Sequence, residues 1–165
     1  MMKSYAVVTL ACLAVAAESF ILTSGPSHAS CNVDWTFSMK CSDIEAAIVK
    51  QIGIWKDTSG CPTSGEKCLY KLLSSSATQI KATRTTREKH YVDDLTFTLT
   101  QEASMCKVHG FSTSETWYAV LDFGTNYCNL FNLLDGAGLV KTAGYSETTS
   151  DKICTQYSKR DCAVH

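Results

Sequence analysis

Residues Leu95-Thr96-Phe97-Thr98-Leu99-Thr100 decide the fold class. Apolar and hydroxylated side chains alternate without a break, and successive strand residues face opposite sides of a sheet. The run therefore reads as a half-buried strand, with Leu95, Phe97 and Leu99 toward a core and the threonines toward water. The same period recurs on both sides. Gln79 to Thr85 reads as a strand with Thr and Lys on one side, and Met105 to Phe111 reads as another. Ser112-Thr113-Ser114 then separates it from Glu115 to Phe123, which places Trp117, Ala119, Leu121 and Phe123 on one face with Tyr118 and Val120 on the other. Apolar side chains on both faces predict a central strand or one that lines a cavity. Gly124-Thr125-Asn126 reads as the next turn, and Tyr127 to Leu134 continues as a strand or a short helix.

Toward the N-terminus the period changes. Cys31 to Met39 alternates loosely, with Val33, Trp35 and Phe37 on one side, and reads as a short strand. Ser42-Asp43-Ile44-Glu45 has the hydroxyl and the carboxylate of a capping box. Ile44, Ile48, Gln51-Ile52 and Trp55 follow at helical spacing and predict an amphipathic helix over 43–55, ended by Thr58, Ser59 and Gly60. These elements make an α+β fold, an N-terminal helix packed on an antiparallel sheet of about five or six strands.

Compartment follows from the ends and the cysteines. Lys3 supplies a positive n-region, and Tyr5 to Ala17 is an apolar run too short to span a bilayer, so residues 1–29 read as a signal peptide. Small-x-small sites fall after Ala16 and after Ala29, and a single disulfide-rich secreted domain, 30–165, remains. Of nine cysteines only Cys12 lies in the leader. The even set Cys31, Cys41, Cys61, Cys68, Cys106, Cys128, Cys154 and Cys162 suits full pairing in an oxidising compartment. Eight cysteines allow about a hundred connectivities. Cys61 with Cys68 is the strongest local pair, because Pro62, Ser64 and Gly65 let the chain double back, and Cys154 with Cys162 is a second. No cysteine or histidine stands at the spacing of a zinc site, so no metal or other cofactor is expected.

The formal net charge is −1, and no Lys or Arg run is long enough for a nucleic-acid patch. No apolar segment follows the leader, so membrane insertion is not expected either. Catalytic patterns are absent: there is no G-x-S-x-G elbow and no H-E-x-x-H. Of the histidines beyond the leader, His90, His109 and His165, none has a nameable partner; His109 falls on the same side as Lys107 and Phe111, as a surface histidine would. Asp93-Asp94 point to opposite faces as strand neighbours and read as a solvated turn before the strand at Leu95. No catalytic residue is assigned, and the chain reads as a non-enzyme.

Two families share features with this pattern. A helix followed by an antiparallel meander resembles the cystatin architecture, although the Q-x-V-x-G hairpin with which cystatins enter protease clefts is missing. Gly53-Ile54-Trp55 resembles the G-x-W motif of lipocalins, and Tyr118-Ala119-Val120-Leu121 leading to Thr125-Asn126-Tyr127 resembles the elements around their T-D-Y turn, with Asn126 in place of the acid. That resemblance implies a closed β-barrel as the alternative fold and a small apolar ligand as cargo. It covers 53–127, with Gly53-Ile54-Trp55 ending a helical pattern and too few strands for eight. Residues 68–134 are also similar to small secreted animal proteins, a likeness that carries no function with it.

Two binding functions follow. In one, the sheet holds a small hydrophobic ligand lined by Trp117, Leu121 and Phe123. In the other, the domain recognises an extracellular protein, as inhibitors, toxins and immune effectors do. The position of Glu115 to Phe123 discriminates them: an empty cavity beside it points to a carrier, a filled core to protein recognition.

Overall fold

A computed structural model describes residues 28–61, 65–116 and 118–164. The leader expected at the N-terminus lies outside these residues up to position 27. Six strands form one antiparallel open sheet in the order β2-β3-β4-β5-β1-β6. They are β1 (Ser30–Phe37), β2 (Tyr70–Ser76), β3 (Gln79–Thr85), β4 (Val92–Glu102), β5 (Met105–Ser114) and β6 (Ser146–Thr148). Two helices, α1 (Cys41–Ile54) and α2 (Thr125–Gly136), contact the sheet. Leu95, Phe97 and Leu99 all point inward from β4, as their alternation with threonine requires. Val33, Trp35 and Phe37 join them from β1, Ile80 and Ala82 from β3, and Val108 from β5. Ile44, Ile48 and Ile52 of α1 and Leu130, Leu133 and Leu134 of α2 complete this one core.

Several expectations need correction. The helix is not N-terminal: β1 precedes α1 and inserts between β5 and β6. Ser42 does not cap it. The helix starts at Cys41 after Lys40 with no side-chain cap, and Gln101 Oε1 accepts the Cys41 N–H at 2.7 Å from β4. The sheet has edges at β2 and β6, so the barrel alternative is not formed by the described residues. The Gly53-Ile54-Trp55 and Thr125-Asn126-Tyr127 elements stand at the end of α1 and the start of α2.

The separator Ser112-Thr113-Ser114 belongs to β5, where it pairs with Leu95, Asp94 and Asp93. The following segment is no strand. Both sides of β5 are already taken by β4 and β1, so the chain crosses the end of the sheet. Its backbone is held by a turn, Ala119 N–H to Thr116 C=O, and by Ala29, whose N–H donates to Ala119 C=O at 2.7 Å. Of the two structures read for Tyr127 to Leu134, the helix forms.

The disulfides join Cys31–Cys154, Cys41–Cys106, Cys61–Cys68 and Cys128–Cys162. Cys61–Cys68 is the local pair expected, whereas Cys154 and Cys162 are not partners. Cys154 forms an isolated bridge with Cys31 at the start of β1, and Cys162 reaches the helix α2 cysteine. Two staples thus tie the C-terminal segment to the core, and such bridges each contribute about 2–4 kcal/mol.

Candidate functional site

A cavity of about 280 Å³ opens where β3 ends, β4 begins and β5 ends. The 86–91 connection forms one side with Thr86, Glu88, Lys89 and Tyr91. The 118–123 loop forms the other with Ala119, Leu121, Asp122 and Phe123, and Asp93, Ser114 and Asn126 lie between. Of the lining residues anticipated from sequence, Leu121 and Phe123 therefore border a cavity, though from a loop. Trp117 lies outside the described residues.

The loop is held in an unusual way. Phe123 has φ 53° and is followed by Gly124 at φ 81°. For a bulky residue the left-handed region costs about 1–2 kcal/mol, and such strain clusters where a side chain must be presented. Gln156, itself left-handed, maintains it: its Oε1 accepts the N–H of Asp122 at 3.0 Å and of Phe123 at 2.8 Å. The result is an outward row in which Tyr118, Val120, Leu121 and Phe123 are each more than half exposed. Asp122 turns the other way and caps α2. Its carboxylate accepts the N–H groups of Gly124 and Asn126, both at 3.0 Å, and the Asn126 amide at 2.8 Å.

Beneath the cavity the inner sheet face turns polar. Asp93 continues the inward parity of Leu95, Phe97 and Leu99 and is 3% exposed, so it is no solvated turn residue; Asp94 faces water. Asn129 Nδ2 donates to Asp93 Oδ2 at 2.7 Å, and Ser112 Oγ donates to Asn126 Oδ1 at 2.6 Å. Asn126 and Asn129 stand one helical turn apart on α2 and meet β5 and β4 respectively, which fixes the helix over the end of the sheet. Burial raises the Asp93 carboxyl above the ordinary range, against the lowering effects of the Asn129 and Ser114 hydrogen bonds and of the Arg84 charge.

Arg84, opposite Asp93 in the β3–β4 register, is 1% exposed. Its Nη2 donates to the Glu66 C=O at 2.8 Å and to Glu66 Oε2 at 3.0 Å, while Nε and Nη1 have no hydrogen-bond partner among the described residues. Sequence reading missed Arg84 and Asp93 as buried charges. The signal was present, since each falls on the inward parity of its strand.

A second polar cluster lies at the other edge. Glu147 on β6 accepts from Trp35 Nε1 at 2.8 Å, Tyr127 Oη at 2.9 Å, Tyr145 Oη at 3.1 Å and Tyr157 Oη at 3.1 Å. Burial, then the Glu147 charge, raises the Tyr127 and Tyr145 phenols. Arg160 covers the Tyr157 ring, 3.8 Å from its centroid. This arrangement anchors the edge strand and the C-terminal segment.

His109 lies on the outer face of the sheet, where its Nδ1 is 2.8 Å from Asp34 Oδ1 on β1; His165 lies outside the described residues. Among the described residues, no helix is long and apolar enough to cross a membrane. Comparison with protein-family models, curated proteins and solved structures finds no match.

Proposed function

We propose that this protein is a secreted, non-enzymatic binding protein that takes a small amphipathic ligand in the cavity between the 86–91 connection and the 118–123 loop. One observation carries the reading: Leu121 and Phe123, though 64% and 60% exposed, border a cavity of about 280 Å³ on a loop whose backbone is held in a strained conformation. Ligand sites are concave, largely apolar and furnished with a few placed polar groups. Here Tyr91, Leu121 and Phe123 supply the apolar walls, and Asp93, Ser114 and Asn126 the polar ones. The buried side chains between sheet and helices form one cluster, which supports a ligand site at the end of the sheet rather than on its inner face.

Native mass spectrometry of gently purified secreted protein should show a co-purifying small molecule. The variant with Leu121→Ala and Phe123→Ala should lose that adduct and keep its melting temperature within a few degrees, because exposed side chains contribute about 0.5 kcal/mol or less. An adduct that survives both substitutions would place the ligand elsewhere. Tyr118 and Val120 favour a second reading, recognition of an extracellular protein, because they are exposed outside the cavity lining. A Tyr118→Ala, Val120→Ala variant that abolishes capture of a protein from extracellular fluid, with no small-molecule adduct in the parent, would establish that reading instead.

A further inference from the structure

The cavity walls carry an imbalance of charge. Glu66, Glu88, Asp93 and Asp122 line it against a single base, Lys89. Two of the four carboxylates are committed within the fold, Glu66 to Arg84 and Asp122 to the start of α2. Asp93 is different. It is 3% exposed and hydrogen-bonded by a neutral amide, yet among the described residues no cationic nitrogen lies within 4.0 Å of it. Arg84, across the β3–β4 register, attracts Asp93 through space, but its contact ion pair is with Glu66. Lys89 rests its Nζ 5.9 Å from the centroid of the Tyr91 ring. Buried carboxylates ordinarily have a paired cation, because desolvation without one is costly. Here a buried carboxylate with no cation in direct contact borders a cavity with aromatic and aliphatic walls.

We propose that the cavity binds an organic cation, an ammonium or guanidinium group on an apolar stem, with Asp93 and Glu88 meeting the charged head and Leu121 and Phe123 covering the stem. This rests on the small-ligand reading above and names its chemical class. Three alternatives fit less well. A neutral apolar ligand would cover Asp93 and leave it unpaired. An anion would meet four carboxylates. A bare metal ion would gain nothing from Leu121, Phe123 and Tyr91, since hard cations take oxygen ligands. Burial already raises the Asp93 carboxyl, and a bound cation would hold it ionised.

The test uses the secreted protein with its disulfides intact and three probes that share a six-carbon chain: hexylammonium, hexanol and hexanoate, titrated by calorimetry at neutral pH and low salt. Hexylammonium should bind about tenfold or more tighter than hexanol, with hexanoate weakest, and the advantage should shrink in high salt. Asp93→Asn keeps an oxygen for the Asn129 amide and should bring hexylammonium and hexanol to nearly equal affinity with little change in melting temperature. Should that variant fail to fold, Glu88→Gln, at an exposed position, provides the second arm and should reduce the ammonium advantage in part. Equal binding of hexylammonium and hexanol by the parent would overturn the cation assignment and leave the small-ligand reading standing. Binding of none of the probes would overturn both. An advantage untouched in Asp93→Asn and Glu88→Gln would also overturn it. Nα-acetyl-lysine methylamide separates the two sources of such a head group: affinity matching hexylammonium points to a lysine side chain of a polypeptide, much weaker affinity to a free amine.

Discussion

Replacing Glu147 by alanine tests whether one carboxylate organises the edge of this fold. Strand β6 is three residues long and pairs with β1 at Asp34, Trp35 and Thr36, too short to persist on ladder bonds alone. Its carboxylate gathers four donors from four parts of the chain. Two of these are deeply buried, Trp35 at 1% and Tyr127 at 3% exposure, while Tyr145 and Tyr157 can turn to water. A buried donor left without its acceptor costs about 1–3 kcal/mol. Glu147→Ala orphans two, so the expected loss is about 3 kcal/mol after some relief by entering water, and melting should fall by about 10 °C for a domain of this size. Glu147→Gln retains one oxygen acceptor, and its amide can donate to phenol oxygens, so it should lose less than half as much. Thermal unfolding followed by near-ultraviolet circular dichroism and Trp emission measures both. A melting temperature unchanged in Glu147→Ala would refute the reasoning, because it would mean that Trp35 and Tyr127 have no need of this acceptor.

Two further outcomes are expected. Tyr70 and Tyr127 have phenols raised above their ordinary value, chiefly by burial; groups with a raised folded-state pKa contribute stability that is fully present below the unfolded value near 10 and is lost as pH rises beyond it. Stability should therefore fall above about pH 10, by about 1.4 kcal/mol per pH unit for each of the two phenols, and denaturant midpoints that stay flat up to pH 11.5 would contradict this. A cut that removes the expected leader should leave Ala29 in the chain, because Ala29 is fully buried, donates to Ala119 C=O and accepts from Ser114 N–H; N-terminal sequencing that begins at Ser30 would show these contacts to be dispensable.

The strands with strict alternation were legible in the sequence. Gln79–Thr85 coincides with β3, and Leu95, Phe97 and Leu99 place β4 and its buried face. Strand β2 carried no such signal, because after Tyr70 every residue of this edge strand is exposed. The period also hid something: it marks Asp93 and Arg84 as inward, but their charge suggested the surface, and only their partners Asn129 and Glu66 make the inward placement tolerable. The 115–123 segment misled for the opposite reason. Its apolar content suits a strand, but the two sides of β5 were already occupied by segments from positions 30–37 and 92–102, which no local window contains. Disulfide connectivity was readable only for Cys61–Cys68, separated by seven residues; the other three span 34 to 123 and depend on the finished topology.

Those long-range staples bear directly on the candidate site. Cys31–Cys154 fixes the chain beside the start of β1, and two residues later Gln156 holds the backbone of Asp122 and Phe123. Cys128–Cys162 fixes the far end of the same segment to α2, the helix that Asp122 caps. The loop that walls the cavity is thus suspended between two anchored elements without containing a cysteine of its own. Its strained residue is supported by a side chain whose position two disulfides determine. Rigid support beneath an exposed, strained apolar loop lowers the ordering entropy that a binding surface must otherwise lose on association. In this molecule the disulfides therefore do more than compensate for a modest core. They place Phe123 and Leu121 at the rim of the cavity, preorganised for the small ligand proposed above.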